Sequence, residues 1–301
     1  MNILVCSRIS IPAKDRTLPT WEHLRALGHE IIVEHPSSVP TTERPDAMIS
    51  MGVTIMEETF EALDRFPGVP LYCYNWDCYE WVWKNPRPGE YDYVRYGELL
   101  RKAEEVWVPS VCTARRTVQW WNIPPNRIVR ILSACPWWDH PNVRDEGYAL
   151  CCLREIPDPW WGMFEKCCEE MNIPYRMSKH EKSYEEYQDL VAGCKFLCAP
   201  LYELSTGGLS LMEGYRLGKP VLLSDSEWNG GVDYFGKRAA YFRHGDVADF
   251  QRWLYVMYHG VWTPNLECQK RYIEENFSDE RMGENMLGRI LATAGKGERC
   301  V

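Results

Sequence analysis

The chain has no Cys-x-x-Cys pair and no His-Glu-x-x-His, and its seven histidines are scattered. Those spacings mark common zinc sites, so no metal site is expected. No apolar run approaches the length of a membrane span. Positive charge is also short: the formal net charge is −9, which opposes a long-range pull toward nucleic acid. There is no repeat and no low-complexity segment. The opening Met1-Asn2-Ile3-Leu4-Val5-Cys6 reads at once as a buried strand and lacks the layout of a signal peptide. Cysteine itself is plentiful, with thirteen residues. The number is odd, the chain is not small, and Cys6, Cys151, Cys152 and Cys198 lie in apolar strand-like runs. Buried free thiols fit this better than a disulfide scaffold. The expected compartment is the cytoplasm, with no integral membrane span.

What the chain does have is alternation. Its 301 residues suffice for two domains of ordinary size. Short apolar strands at Asn2–Ser7, Glu30–Glu34, Asp46–Met51, Val69–Tyr74, Val106–Pro109 and Ile128–Leu132 are separated by helical patterns at Leu18–Leu27, Thr54–Asp64, Asp92–Ala103 and Cys112–Trp121. A Pro-, Trp- and Asp-rich stretch, Ser133–Gly147, reads as a linker. A second series follows, with strands at Tyr148–Leu153, Pro174–Met177, Lys195–Ala199, from Val221, and at Ala239–Phe242. Helical patterns lie between them, and three more close the chain. Strands separated by single helices imply parallel pairing in doubly wound α/β sheets, with ligands at the carboxyl ends of the strands. The expected domains are 1–140, 147–275, and a helix over 276–301 that returns to the first domain.

One stretch carries more information than the rest: Ser205-Thr206-Gly207-Gly208-Leu209-Ser210-Leu211-Met212-Glu213-Gly214, running on through Gly218-Lys219-Pro220-Val221 to Ser224-Asp225. It reads as loop, helix, tight turn and buried strand. Two glycines stand where the helix begins, so the backbone can approach a ligand closely while the free N–H groups and positive dipole end point outward. Glu213 lies about one and a half turns in and can face the same place. Gly218 ends the helix and Pro220 enters the strand. An anion site beside a carboxylate suits a nucleotide sugar, with diphosphate on the amides and ribose hydroxyls on the carboxylate. The structural alternative is ordinary α/β punctuation.

This run resembles the donor-site signature of the retaining nucleotide-sugar glycosyltransferases of the large family 4, which have two Rossmann-like doubly wound domains facing a cleft (GT-B). Gly208, Leu209 and Glu213 match its glycine, leucine and second glutamate, and Gly218-Lys219-Pro220-Val221 through Ser224-Asp225 match its turn and strand. The first glutamate is not matched. Ser205 holds its position, and Glu203 lies two residues early. The flanks are similar as well: Asp189 to Pro200 ahead of the loop, His244-Gly245-Asp246 through Asn276-Phe277-Ser278 after it, and Leu99 to Ser110 with Ile128 to Leu132 in the first half. The second domain is shorter than is usual in the family between Leu153 and Pro174.

The resemblance implies a set of roles. Arg154 matches the family's diphosphate arginine, while Pro159 stands where a lysine follows. Lys179 or Lys182 can substitute. Met177, Ser178 and Lys179 resemble the segment that reads the base. Thr206, Gly207, Gly208, Leu209 and Glu213 complete the donor set. Glu203 and Ser205 are the candidates for contact with the transferred sugar. In the first domain the family's Gly-rich loop and its histidine are missing. Lys14 and Arg16 in the first loop and Trp76 after the fourth strand are candidate acceptor contacts. Asp77 can orient or deprotonate an acceptor hydroxyl, or else cap a turn. Fourteen tryptophans are many, and Trp76, Trp81, Trp83, Trp137 and Trp138 lie in loops, where indoles often mark a binding face.

The function expected on this resemblance is transfer of a hexose from a nucleotide-diphosphate sugar, UDP-glucose first, to an acceptor hydroxyl, with retention and without a metal or other cofactor. The acceptor is open: a glycan, small molecule, protein or modified DNA. A transferase acting on a hydroxymethylated base in DNA is one alternative. From Lys84 to Arg130 there are nine Lys/Arg against five Asp/Glu, together with Trp107, Trp120 and Trp121, whereas the net charge opposes that reading. A sugar-nucleotide-binding protein without catalysis is the other. It is favoured by Ser205, Pro159 and the missing histidine.

Overall fold

The computed structural model describes residues 1–7, 18–36, 40–76, 92–135, 140–151, 160–178, 183–200 and 208–297. The chain divides into two compact units. The first comprises 1–134 together with 279–301, and the second 135–278.

In the first unit the order is β1 (Asn2–Cys6), α1 (Leu18–Ala26), β2 (Glu30–Glu34), β3 (Ala47–Met51), α2 (Met56–Arg65), β4 (Leu71–Tyr74), α3 (Tyr93–Lys102), β5 (Glu105–Val108), α4 (Val111–Trp121) and β6 (Ile128–Arg130). All pairings are parallel, in the spatial order β2-β1-β3-β4-β5-β6. Successive strand side chains point to opposite faces, and two cores result. Leu4, Cys6, Met48, Cys73, Val106 and Val108 meet Phe60 of α2, Leu99 and Leu100 of α3 and Trp121 of α4. Ile3, Val5, Ile49, Tyr72, Tyr74 and Trp107 meet Trp21 and Leu24 of α1.

That second face is completed from the far end of the sequence. The last helix, which spans Asp279–Gly297, lays Met282, Met286, Leu287 and Ile290 onto it. It runs so close to α1 that a Cβ on Gly283 would lie 3.3 Å from Thr20 and Leu24 atoms. Polar contacts set its register. The Thr20 hydroxyl donates to Asp279 at 2.6 Å. The Arg289 guanidinium donates through both Nε and Nη2 to Glu105, whose carboxylate also accepts from the Trp107 indole at 3.0 Å. Glu105 is 6 % exposed, so this two-pronged pairing is what makes a carboxylate tolerable there.

The second unit runs β7 (Ala149–Cys151), α5 (Trp160–Glu170), β8 (Tyr175–Met177), α6 (Tyr184–Gly193), β9 (Phe196–Ala199), α7 (Leu209–Arg216), β10 (Val221–Ser224), α8 (Gly231–Phe235), β11 (Ala240–Phe242), α9 (Val247–Tyr258) and α10 (Leu266–Asn276), so the last helix is α11. Its sheet is also parallel, in the order β8-β7-β9-β10-β11. Numbered within each unit, both sheets contain the order 2-1-3-4-5, one of the two common doubly wound orders. Short strands buried on both faces read as continuous apolar runs, as Phe196-Leu197-Cys198-Ala199 and Val221-Leu222-Leu223 do here. Buried free thiols fit the described cysteines: nine are buried and Cys268 is exposed.

The stretch read as a linker is partly docked. Arg144 and Glu146 donate backbone N–H groups to Ala192 and Gly193, and the Lys219 ammonium donates to the Arg144 carbonyl at 2.5 Å. These carbonyl and amide pairings tie residues 144–146 to the second unit.

Candidate functional site

In a doubly wound sheet the crevice lies outside the carboxyl ends of the strands where the winding reverses. In the second unit β7 pairs with β8 on one side and with β9 on the other, so that point lies between β7 and β9. The segments leaving these two strands carry Arg154 and the Thr206-Gly207-Gly208 run respectively.

Gly208 is the residue at which α7 begins. Its φ is +74°, and it caps the helix with no side chain, its carbonyl accepting from Leu211 and Met212 at 2.8 and 3.0 Å. Leu209 is the first helical residue. The first N–H groups of any helix lack acceptors inside it and carry the positive end of its dipole, so this end of α7 suits an anion. The helix ends as the sequence pattern predicts. Gly218 takes φ +78°, and Gly218 and Lys219 donate back to Tyr215 and Gly214.

Two further residues fix where α7 sits. A Cβ on Gly214 would fall 2.3 Å from a Leu197 methyl, so only glycine lets the helix lie this close to β9. Lys219 is 6 % exposed, and its ammonium donates to the carbonyls of Arg144 and, at 2.7 Å, Cys194. Burial lowers its pKa from the ordinary lysine value, while the Cys194 thiol is pushed up to about 12 by burial. Lys219 is thus a structural tie at the base of the turn.

Glu213 is only 1 % exposed. Its carboxylate accepts from two phenols of α6: Tyr184 donates to Oε1 at 3.1 Å and Tyr187 donates to Oε2 at 2.5 Å. The two rings stack, with centroids 5.7 Å apart and planes 19° from parallel. Residues three apart on a helix share a face, which lets one α6 surface present both hydroxyls. Tyr187 is buried, whereas Tyr184, the first residue of α6, is 44 % exposed. Neither tyrosine stands out in the sequence. The signal was an i,i+3 aromatic pair carrying hydroxyls, directly after the helix-capping Ser183, whose side chain accepts from Glu186.

Of the other predicted positions, Met177 ends β8, and Ser178 continues its ladder by donating to the Cys151 carbonyl at 3.0 Å. Trp76 follows β4 in the first unit and packs edge-on against Tyr74, with centroids 5.3 Å apart. Beside it Asn75 is buried, donating to Thr117 and accepting from Tyr96. Lys14, Arg16, Asp77, Arg154, Lys179, Lys182, Glu203, Ser205, Thr206 and Gly207 lie outside the described residues, as do Trp81, Trp83, Trp137 and Trp138. Among the described residues no group of three His, Cys, Asp or Glu side chains could hold a metal ion, and no helix is long and apolar enough to cross a membrane.

No protein-family model and no curated protein matches the chain. Solved structures do. A glycosyltransferase from Rickettsia africae ESF-5 superposes with a TM-score of 0.69 at 12% identity, over 96% of this chain and 97% of that one. The chain has the GT-B glycosyltransferase fold. Anabaena HepE in complex with UDP and glucose gives 0.68 at 10% identity, over 97% of this chain and 100% of HepE. A sucrose-phosphate synthase from Thermosynechococcus elongatus gives 0.67 at 12% identity, over 98% and 100%. At these identities the GT-B likeness carries the fold, and the chemistry has to be argued from residues.

Proposed function

We propose that this chain is a glycosyltransferase that takes a sugar from a nucleotide-diphosphate sugar and passes it to an acceptor hydroxyl. One observation carries the reading. In a GT-B fold, a glycine-entered helix N-terminus stands at the carboxyl end of β9, beside the strand switch of the second unit. The donor diphosphate lies against the amides at Gly208 and Leu209, with Arg154, on the segment leaving the neighbouring strand, as its cation. Glu213 takes the ribose. UDP-glucose is the first donor to test, since UDP and glucose are named with the Anabaena structure.

The chemistry follows from that placement. Departure of the nucleoside diphosphate builds negative charge on a phosphate oxygen. Preorganised N–H groups and a guanidinium aimed at that oxygen lower the barrier without a metal ion. The acceptor oxygen bonds to the sugar carbon on the face from which the diphosphate leaves, the departing oxygen takes the acceptor's proton, and configuration at the sugar carbon is retained. The first unit takes the acceptor near Trp76 and Asp77.

The test pairs binding with turnover. A thermal-shift series with UDP, GDP and ADP is expected to show stabilisation by one of them, because a ligand that binds only the native state raises its stability by mass action. Release of that nucleotide from its sugar conjugate, slow with water and faster with an acceptor, establishes catalysis. Stabilisation without any release would make the chain a binding protein.

A further inference from the structure

Glu213 is a buried carboxylate held by phenols, and that arrangement has a consequence for how a ligand reaches it. A buried charge without donors is costly, so each oxygen needs a donor. Tyr187 and Tyr184 do so, but they are not equivalent. Tyr187 is buried and its bond to Oε2 is 2.5 Å. Tyr184 sits at the start of α6, at the carboxyl rim of the sheet, with nearly half its surface in water and a longer bond of 3.1 Å to Oε1. A phenol at that rim can exchange the carboxylate for water at little cost, whereas the Tyr187 phenol cannot.

We propose that Tyr184 stands in for a ligand hydroxyl: its phenol satisfies Glu213, and a ribose hydroxyl of the bound nucleotide takes its place on Oε1 while Tyr187 keeps the carboxylate in position. The inference rests on the donor reading above and adds to it an internal competitor and a fixed anchor. An ionised carboxylate accepts up to about four hydrogen bonds, and a hydroxyl brought by ligand matches a phenol in kind. The exchange therefore swaps like for like at Oε1, and selectivity for ribose over deoxyribose comes from what the exchange leaves behind. A deoxyribonucleotide has to displace Tyr184 from Oε1 and puts no hydroxyl there in return.

The two tyrosines then have opposite effects, which a merely structural pair would not. Affinities of UDP and 2′-deoxy-UDP, with the GDP and ADP pairs alongside, are measured by calorimetry on the wild type, Tyr184→Phe and Tyr187→Phe, with folding checked by circular dichroism. Tyr184→Phe removes the competitor, so the ribonucleotide and the deoxy form are both expected to bind several-fold tighter, with the preference for ribose kept. Tyr187→Phe frees the anchor, so ribonucleotide affinity is expected to fall about tenfold, the scale of one hydrogen bond to a charged group. Unchanged or weaker ribonucleotide binding in Tyr184→Phe overturns the proposal and leaves the donor reading standing. A wild type that binds ribo and deoxy forms alike does the same. If no nucleoside diphosphate binds the wild type, the donor reading itself fails and this inference with it. A fluorinated tyrosine at position 184 supplies a readout that does not depend on the stability of Tyr187→Phe. Its fluorine resonance is expected to move on adding UDP and not on adding pyrophosphate, and a resonance indifferent to UDP counts against displacement.

Discussion

Gly208 takes a backbone conformation that L side chains rarely adopt, and a Cβ there would lie 3.1 Å from a Leu211 methyl. Its glycine thus has a local cause that precedes any ligand. Gly208→Ala is expected to cost about 1–2 kcal/mol in urea unfolding. A valine at this position tests phosphate approach only if the variant remains folded. Glu213→Ala is expected to weaken nucleotide binding by about 1–3 kcal/mol, read by calorimetry, and normal binding would reduce Glu213 to a packing role. At this scale the sequence was most legible where geometry is local. Gly208 at the helix start, Gly218 at its end and Glu213 within it follow from spacing alone. The Tyr184 and Tyr187 partners did not, because the contact joins α6 to α7 across 26 and 29 positions, and no short-range pattern encodes it. Lys219 read as an unremarkable turn residue, since nothing in Gly-x-Pro announces that two distant carbonyls close over its ammonium.

Elements hold the site through a few close approaches. Gly214 lets α7 lie on β9, so Gly214→Ala is expected to destabilise by about 1–3 kcal/mol through overpacking against Leu197, with a matching loss of nucleotide affinity as the helix shifts. A cost near zero in chemical denaturation would show that the helix has room. Asp249 ties β11 to α9, accepting from the Arg243 amide and from the Arg252 guanidinium at 2.7 Å each. Burial alone raises its pKa, but those two donors outweigh it and leave the carboxyl below its ordinary value. A carboxyl depressed in the folded state stabilises fully above its unfolded pKa, about 3.9, and loses that contribution as pH falls through the folded value. Asp249→Asn is accordingly expected to lower stability at neutral pH, with the gap to wild type closing below about pH 4. A gap that stays constant down to acid would place the effect elsewhere. Strand and helix positions were largely readable from the apolar alternation, with ends one or two residues off except at α11, which runs on to Gly297. The short helix α8 was not expected, since five residues opened by two glycines carry little helical pattern. Its backbone turns there on the Asn229 side chain, which donates to Ser224 and accepts from Gly231.

For the whole molecule, the doubly wound class was legible because parallel buried strands and single crossover helices leave a long-period pattern that the entire chain repeats. The order of strands was not, since pairing β1 with β3 or β7 with β9 depends on which side each crossover takes. Nor was the extent to which residues 144–146 dock on the second unit. The GT-B fold places a glycine-entered helix at a sheet's switch point, and the account stands or falls on whether that place holds a diphosphate. Isothermal titration of the folded chain with UDP, GDP and ADP in the presence of a chelator tests it most directly. The account predicts that one of these binds at a single site per chain without a divalent metal, and that the Gly208→Ala protein, still folded, binds it more weakly. Binding of none of the three, or binding that appears only when Mn²⁺ or Mg²⁺ is restored, would contradict it.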